Sequence, residues 1–593
     1  MTRPRIYQLF LRVFGNPRST NAWAGDIETN GCGRFSSVDH RAVRYLRELG
    51  ITHVWLTGVI RHATVTSHPG LPGDDPDVVK GRAGSPYAIK DYYDVHPDLA
   101  DDPSRRRDEF RALLDRLHDG GLTVLLDFVP NHVSRAYAGT VFPERDFGRD
   151  DDTSVFFSPR NDFFHLVEPP GQRLHIRAPD HWRVPGTDGR FALEDGGGGR
   201  TPRATGNNQT SVVVGPQDWY ETVKLNYGYN FVDNHCAFHP RPLLWDKMDA
   251  ILAYWQQQGV DGFRCDFAHW VPVEFWSFVT TRARQRRPET YFLAEAYDDG
   301  HGNPLPGTPP GTSVERLITL GGFDAVYDHV SFNVTRQVAS GVSWANDLDA
   351  RRHPTLADRY CRYAENHDER RAASPVVPNG GPGDTGYGSP TAGLAASASL
   401  FLSSGAPLLF YAGQELGEDG AGNEGFGGED GRTSIFDYWS PPLLRALHRA
   451  GYDVTSLPPG PRHVVQHYAQ LIALAAEPVF STSAKHVPLN PANQEHASFG
   501  DHGHWVHAFL RVTTTSAVLV AVNLHSTESQ RTRIRIPREA LREAFPGSAR
   551  MLEARSRIGS ASHVVMPLRQ VSTEGLPVVL TPSSYEVFAL TSS

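Results

Sequence analysis

Four short segments of the chain each end an apolar run on residues that can move protons or hold charge. They are Leu126-Asp127-Phe128-Val129-Pro130-Asn131-His132, Gly262-Phe263-Arg264-Cys265-Asp266, Phe292-Leu293-Ala294-Glu295 and Tyr363-Ala364-Glu365-Asn366-His367-Asp368. Together they offer three candidate carboxylates, Asp266, Glu295 and Asp368, with Arg264, His132 and His367 close by in sequence. No metal-binding triad is evident, and no serine stands with a histidine in a nucleophile elbow. Two carboxylates flanking a bond suit glycoside hydrolysis: one attacks or stabilises the anomeric carbon, the other protonates the leaving oxygen. The third could hold sugar hydroxyls. Arg264 lies two residues before Asp266, so on a strand both side chains point the same way. A guanidinium there favours an ionised Asp266. Glu295 ends an apolar run, where desolvation is expected to raise its pKa toward that of a useful acid. A lone acid after a strand is commonly a helix cap; the ordered set of four segments carries the reading.

Residues so far apart must be gathered by a scaffold. Over roughly the first 480 residues, short apolar runs alternate with amphipathic ones, the pattern of a parallel α/β architecture. Candidate strands are residues 5–13, 52–57, 123–128, 262–265, 291–294, 323–327, 360–364 and 407–411. Helical periodicity fills several of the gaps, as at residues 104–118 and 244–258. Eight strands close a TIM barrel, whose strand C-termini converge on one face and build the active site there. One gap, residues 133–221, has no clean alternation and is too long for a simple loop, so it is read as an inserted subdomain. It carries many Asp and Arg and a glycine run at residues 196–199. After residue 483 the pattern turns to short β-rich runs, at 505–510, 517–523, 532–536, 578–580 and 585–589. These predict an antiparallel β-sandwich. The expected architecture is therefore a catalytic barrel (1–132 and 222–483), an insert (133–221) and a C-terminal sandwich (484–593).

Composition narrows the partners. The formal net charge is −9, which lacks the basic footprint of a nucleic-acid binder. No stretch approaches the 18 apolar residues of a membrane span. The N-terminal MTRPRIYQLFLRVFGNP has no cleavage-site pattern and is read as lacking a signal peptide. Four scattered cysteines, Cys32, Cys236, Cys265 and Cys361, form neither a zinc pattern nor a disulfide framework. Free thiols and a cytoplasmic location are expected.

The four segments resemble conserved regions I to IV of glycoside hydrolase family 13, the α-amylase family. Region I resembles DxxxNH (Asp127 to His132), region II GFRxD, region III the strand ending in the catalytic Glu, and region IV xxNHD. Tyr87, in Ser85-Pro86-Tyr87-Ala88-Ile89-Lys90-Asp91-Tyr92-Tyr93, resembles the family's stacking tyrosine, and Lys224-Leu225-Asn226 resembles a further motif ending in Leu-Asn. The resemblance implies Asp266 as nucleophile, Glu295 as general acid/base and Asp368 as transition-state stabiliser. It implies that Tyr87 stacks beneath the reacting sugar, that His132, Arg264 and His367 bind sugar or carboxylates, and that Asp127 supports the site from behind. The implied activity is retaining cleavage of α-glucosidic bonds in maltodextrin- or starch-like glucans. A transglycosylase of the same family, and a catalytically inactive amylase-like binding protein, are the alternatives; the three standing carboxylates count against the second. No cofactor is required for this chemistry and no metal residue is assigned. A structural calcium is an open implication through Asn131, which matches a common family calcium ligand, against a loop-capping role for the same side chain. After Asp266, Phe267-Ala268-His269-Trp270 departs from the Lys-His that many α-amylases carry at positions contacting the leaving side of the chain. The expected partner is an α-glucan or maltooligosaccharide, with no nucleic acid or membrane; linkage preference, endo or exo action and oligomeric state are not encoded legibly.

Overall fold

The computed structural model describes residues 3–177, 187–188, 191–194, 200–422, 430–493, 505–545, 550–558 and 562–592. The glycine run at 196–199 lies outside them. Eight strands form one parallel sheet: β1 (Arg5–Phe10), β2 (His53–Thr57), β3 (Thr123–Phe128), β4 (Gly262–Cys265), β5 (Tyr291–Ala294), β6 (Ala325–Tyr327), β7 (Tyr360–Cys361) and β8 (Leu408–Tyr411). Their spatial order runs from β7 down to β1 and then to β8. A parallel bridge between Arg362 and Leu408 joins β7 to β8 and closes the barrel. The backbone bonds Arg362 N–H to Pro407 O (2.8 Å) and Leu409 N–H to Arg362 O (2.9 Å) complete it. The connecting helices are α1 (His40–Glu48), α2 (Arg106–Asp119), α3 (Leu243–Gln257), α4 (Val273–Arg286), α5 (Val314–Thr319), α6 (His329–Ala339), α7 (Pro390–Leu402) and α8 (Pro459–Ala475). Several observed strands are shorter than the apolar runs that foretold them: residues 5–13 yield β1 only to Phe10, and 360–364 yields β7 only to Cys361. Apolar character persists past the strand ends because those residues enter the buried face that carries the loops.

The barrel interior holds an apolar layer of Ile6, Trp55, Leu125, Leu293, Ala325, Tyr327, Cys361 and Leu409. The inward positions of β4 are Gly262 and Arg264, so this strand contributes a cation, in register with Asp127 of β3 and Leu293 of β5. That cation packs under rings, with its guanidinium carbon 4.8 Å from the centre of Trp55, 5.4 Å from Tyr87 and 5.6 Å from Tyr327. Ring faces carry negative quadrupole density and repay part of the guanidinium's desolvation.

Between β3 and α3 the chain leaves the barrel. It departs and returns along one antiparallel pair, His132–Ser134 against Thr222–Lys224, with His132 opposite Lys224. Gly206 packs on this root, where a Cβ would fall 2.6 Å from Thr222 Oγ1 and 2.9 Å from His132 Cβ. The Asp and Arg residues that made the segment look irregular include a buried triad. Arg135 Nη1 lies 2.6 Å from Glu194 Oε2, and Arg203 Nη2 lies 2.7 Å from Glu194 Oε1. Two guanidiniums on one carboxylate tie distant parts of the segment together, alongside small apolar clusters that include Leu174, Ile176, Phe191, Val214, Phe164 and Leu166.

The C-terminal strands are β9 (Lys485–Pro488), β10 (Val506–Val512), β11 (Ala517–Asn523), β12 (Gln530–Ile534), β13 (Met551–Ile558), β14 (His563–Pro567), β15 (Leu576–Leu580) and β16 (Ser584–Ser592). Six form an antiparallel sheet in the order β9-β10-β11-β16-β13-β14, and β12 pairs with β15. Both sheets feed one core that includes Leu510, Leu519, Leu552, Ile534, Val578 and Leu580. The sequence pattern did not announce β9, β13 or β14. Charged residues at Glu553, Arg555 and Arg557 interrupt the apolar signal of β13, whose outer half faces solvent. All four cysteines are free thiols. Among the described residues, no helix is long and apolar enough to cross a membrane.

Candidate active site

Asp266 and Glu295 directly follow β4 and β5 at the C-terminal end of the barrel, and both are buried. The backbone locks the two strand exits together: Glu295 N–H donates to Cys265 O, and Ala268 N–H donates to Glu295 O, each at 2.9 Å. Arg264 bridges the two carboxylates. Its Nη1 donates to Asp266 Oδ1 at 2.8 Å, and its Nη2 lies 2.9 Å from Glu295 Oε2. Nη1 also lies 3.5 Å from Asp127 Oδ1, while Nε donates to the Tyr327 hydroxyl at 3.2 Å. Glu295 accepts two further bonds, from Phe267 N–H (2.9 Å) and the Tyr297 hydroxyl (2.6 Å).

This sharing revises the expected electrostatics. Arg264 is not reserved for Asp266. Burial and the Glu295 charge push the Asp266 carboxyl well above the usual range, with Arg264 opposing them. The Glu295 charge therefore adds to burial in disfavouring an ionised Asp266, and the shared Arg264 is the group that works against both. Asp127, at the end of β3, is pushed up to about 6, chiefly by burial, with Arg264 and His367 opposing.

Asp127 therefore makes stability depend on pH. Its folded pKa lies above the unfolded value of 3.8, so its contribution is intact below the unfolded value and is lost as pH rises through 6. The shift corresponds to a cost of about 3 kcal/mol above pH 6. Asp127→Asn should flatten the loss of stability between pH 4 and pH 7, followed by chemical denaturation across that range. An unchanged pH slope would remove Asp127 from this role.

The carboxylates open onto a cavity of about 320 Å³. Tyr87, His132, Asp266, Glu295 and Asp368 line it, so five of the seven residues singled out from sequence meet at one place. Asp368 stands at the mouth with its side chain 41% exposed, 3.0 Å from His367 Nε2. Arg264 and His367 are fully buried behind the wall and do not line the cavity. His367 receives the Gln8 amide at Nδ1 (2.7 Å) and turns Nε2 toward Asp368 and the Tyr87 hydroxyl. Its position suits holding Tyr87 and Asp368 in place. His132 is held neutral, its pKa pushed down to about 3 by burial and by the charges of Lys224 and Lys80.

Sequence reasoning missed a second group of cavity residues: Trp219, Phe267, Tyr297, Lys80, Glu221 and Arg432. Tyr297 could have been found, because it lies two positions beyond Glu295 and so emerges on the same side. Trp219 arrives from the insert and carries no local signal. Trp219 meets Phe267 edge to face at 4.8 Å between ring centres, and Trp270 packs on both, at 5.7 Å from Trp219 and 5.0 Å from Phe267. Trp219 and Phe267 both adopt left-handed backbone, with φ of 45° and 43°. For bulky residues this is strained, and such strain concentrates at functional sites. A larger open cleft of about 820 Å³, lined by α8 and residues 581–585, contains none of the candidate residues.

A closed (β/α)8 barrel with buried carboxylates at the strand C-termini, an insert after β3 and a C-terminal antiparallel sheet defines an amylase-type class of protein. Residues 25–297 match the family model for the alpha amylase catalytic domain. Alpha-amylase MalA of Haloarcula japonica is 24% identical over 420 residues, covering 70% of this chain and 44% of the relative. Alpha-amylase 3 of Dictyoglomus thermophilum is 20% identical over 485 residues, covering 79% and 76%. The chain thus spans less than half the length of the first of these relatives. Among solved structures, the acarbose-complexed α-amylase GTA of Geobacillus thermoleovorans superposes with a TM-score of 0.58 at 16% identity, covering 99% of this chain and 98% of that one. The cyclic α-maltosyl-(1→6)-maltose hydrolase of Arthrobacter globiformis does so at 0.57 and 15%, covering 100% and 98%. Residues 25–297 thus carry the likeness to the alpha amylase catalytic domain, and the chain as a whole shares the fold of these structures.

Proposed function

We propose that the protein is a retaining α-glycosidase that cleaves α-glucosidic bonds of maltodextrin- or starch-like glucans. The observation that carries this reading is one buried guanidinium spanning Asp266 and Glu295, with Asp368 on the same cavity. In the first step Glu295 gives its proton to the glycosidic oxygen while Asp266 attacks the anomeric carbon. The C–O bond breaks, and an ester to Asp266 forms. In the second step Glu295 takes a proton from water, which displaces Asp266 and regenerates both groups. The first step needs Asp266 ionised, and Arg264 is the group that favours that state against burial and the Glu295 charge. Asp368 and His132 face the sugar hydroxyls, and Tyr87 offers a ring face. His269 and Trp270 stand where many α-amylases carry Lys-His, and Trp270 packs on the cavity residues Trp219 and Phe267, an aromatic surface that suits the apolar faces of glucose rings. Four unpaired thiols support a reducing, cytoplasmic location.

Retention requires carboxyl groups about 5–5.5 Å apart, against about 6.5–9.5 Å for inversion. Both carboxylates touching one guanidinium favours the shorter separation. The sugar formed first from a maltooligosaccharide should therefore be the α-anomer, read by proton NMR before mutarotation. An initial β-anomer sinks the retaining mechanism and the nucleophile role of Asp266. A panel of maltooligosaccharides, cyclodextrin, pullulan, sucrose and trehalose identifies the preferred substrate, and turnover of none of them would overturn the glycosidase reading.

A further inference from the structure

Family resemblance implies a calcium ligand at Asn131, and the surroundings of that side chain test whether an ion fits. Asn131 is fully buried. Its amide nitrogen donates to Gly206 O at 2.9 Å and lies 3.1 Å from His132 Nδ1, which turns Oδ1 the other way. Oδ1 accepts a hydrogen bond from Lys224 Nζ. Calcium takes six to eight oxygen ligands, usually with several carboxylates among them. Here the oxygen already faces an ammonium, which repels a second cation. The remaining neighbours are the His132 imidazole and the Trp270 ring, whose centre is 5.2 Å from Nζ. Among the described residues, no group of three or more His, Cys, Asp or Glu could hold a metal. Calcium does not fit this place.

We propose that the ammonium of Lys224 is itself the cation that ties the insert to the barrel, in the place a divalent metal would take. Lys224 is well placed for this. It ends the returning strand of the insert, opposite His132, and its own N–H donates to Ala204 O at 3.0 Å. The next residue, Leu225, donates its N–H to Asn131 O at 3.0 Å. One residue thus joins the loop after β3, the insert near Ala204 and, through Trp270, the turn after β4. Lys224 is buried and has no carboxylate within ion-pair distance among the described residues. Burial alone pushes its pKa down to about 7. A buried, uncompensated ammonium beside a reaction cavity is an expensive feature, of the kind found where function requires it. Its charge also helps keep His132 and His269 neutral, each pushed down to about 3 mainly by burial. Because His132 lines the cavity and Lys224 does not, Lys224 is a positioning residue.

The experiment compares full-length wild type, Lys224→Met, Lys224→Asp and Asn131→Ala, each with EDTA and with millimolar calcium chloride. Thermal midpoints and steady-state kinetics on a maltooligosaccharide are the readouts. The wild-type midpoint should be the same in both conditions. Lys224→Asp places a carboxylate beside Asn131 Oδ1, and its midpoint should rise by several degrees with calcium. Lys224→Met should respond to neither condition, and its KM should rise on the order of ten-fold, the scale of one lost hydrogen bond, with kcat nearly unchanged. A calcium-dependent rise in the wild-type midpoint that is lost in Asn131→Ala overturns the proposal, as does wild-type KM in Lys224→Met. If Lys224→Asp does not fold, the wild-type and Met variants decide. The kinetic readout rests on the proposed glycosidase activity. If wild type turns over no glucan, that reading fails while the midpoints still decide the metal question.

Discussion

Asp266→Asn should lower kcat by on the order of 10⁴-fold or more and leave the fold intact, because an amide cannot form the ester intermediate. The same change should raise stability at neutral pH. The Asp266 carboxyl sits well above its usual pKa because it is buried beside Glu295. A carboxyl raised in this way contributes stability below its unfolded pKa and loses it as pH rises through the folded one. Removing it removes that loss, so the variant's advantage in unfolding midpoint should grow from pH 5 to pH 8. Glu295→Gln should show a comparable loss on maltooligosaccharides. It should lose far less on an α-glucosyl fluoride, whose leaving group needs no proton. Near-normal turnover of maltooligosaccharide by Asp266→Asn would remove it as nucleophile. An equal loss on both substrates by Glu295→Gln would remove the general-acid role.

Arg264→Met should produce the largest loss of stability of any single change at this site. The guanidinium is fully buried and serves Asp266, Glu295 and Asp127 together. Removing one partner of a buried ionic network costs about 3–5 kcal/mol, because the remaining charges stay buried without compensation. Asp266 and Asp127, whose pKa values Arg264 holds down against burial, would rise further. The folded variant would then bind more protons than the unfolded chain, and its stability would improve as pH falls. Denaturant unfolding from pH 8 to pH 5 should show the deficit shrinking toward acid. Arg264→Lys should not rescue, since one ammonium cannot span carboxylates from two strands as a planar fork does. A stability deficit below about 1 kcal/mol at neutral pH would show that the network is not held by this residue.

The barrel was legible because strand and helix periodicities are written in neighbouring residues. Gly262-Phe263-Arg264-Cys265-Asp266 declares a strand, and its parity places Arg264 and Asp266 on one side before any fold is known. The sequence likewise placed Tyr87, His132, Asp266, Glu295 and Asp368 at one site, through motifs whose order survives in the chain. The charged strand β13 was not legible, because solvent on its outer face left no apolar alternation to read. The insert showed only as an absence of pattern, since its apolar residues, such as Phe164, Leu174, Ile176, Phe191 and Val214, lie in short scattered stretches that meet only in the folded chain, beside the Arg135–Glu194–Arg203 triad.

Distances between remote residues set the rest. That Arg264 divides itself between Asp266 and Glu295, rather than serving its near neighbour alone, follows from β4 lying beside β5. That Lys224 meets Asn131, 93 residues away, follows from the insert closing back on its own root. Trp219 reaches the cavity by the same closure. Periodicity depends on bond geometry along a few adjacent residues, so the chain states it directly. Proton affinity and the choice of partner depend on burial and on charges brought within a few ångströms, and those come into being only when the chain has folded.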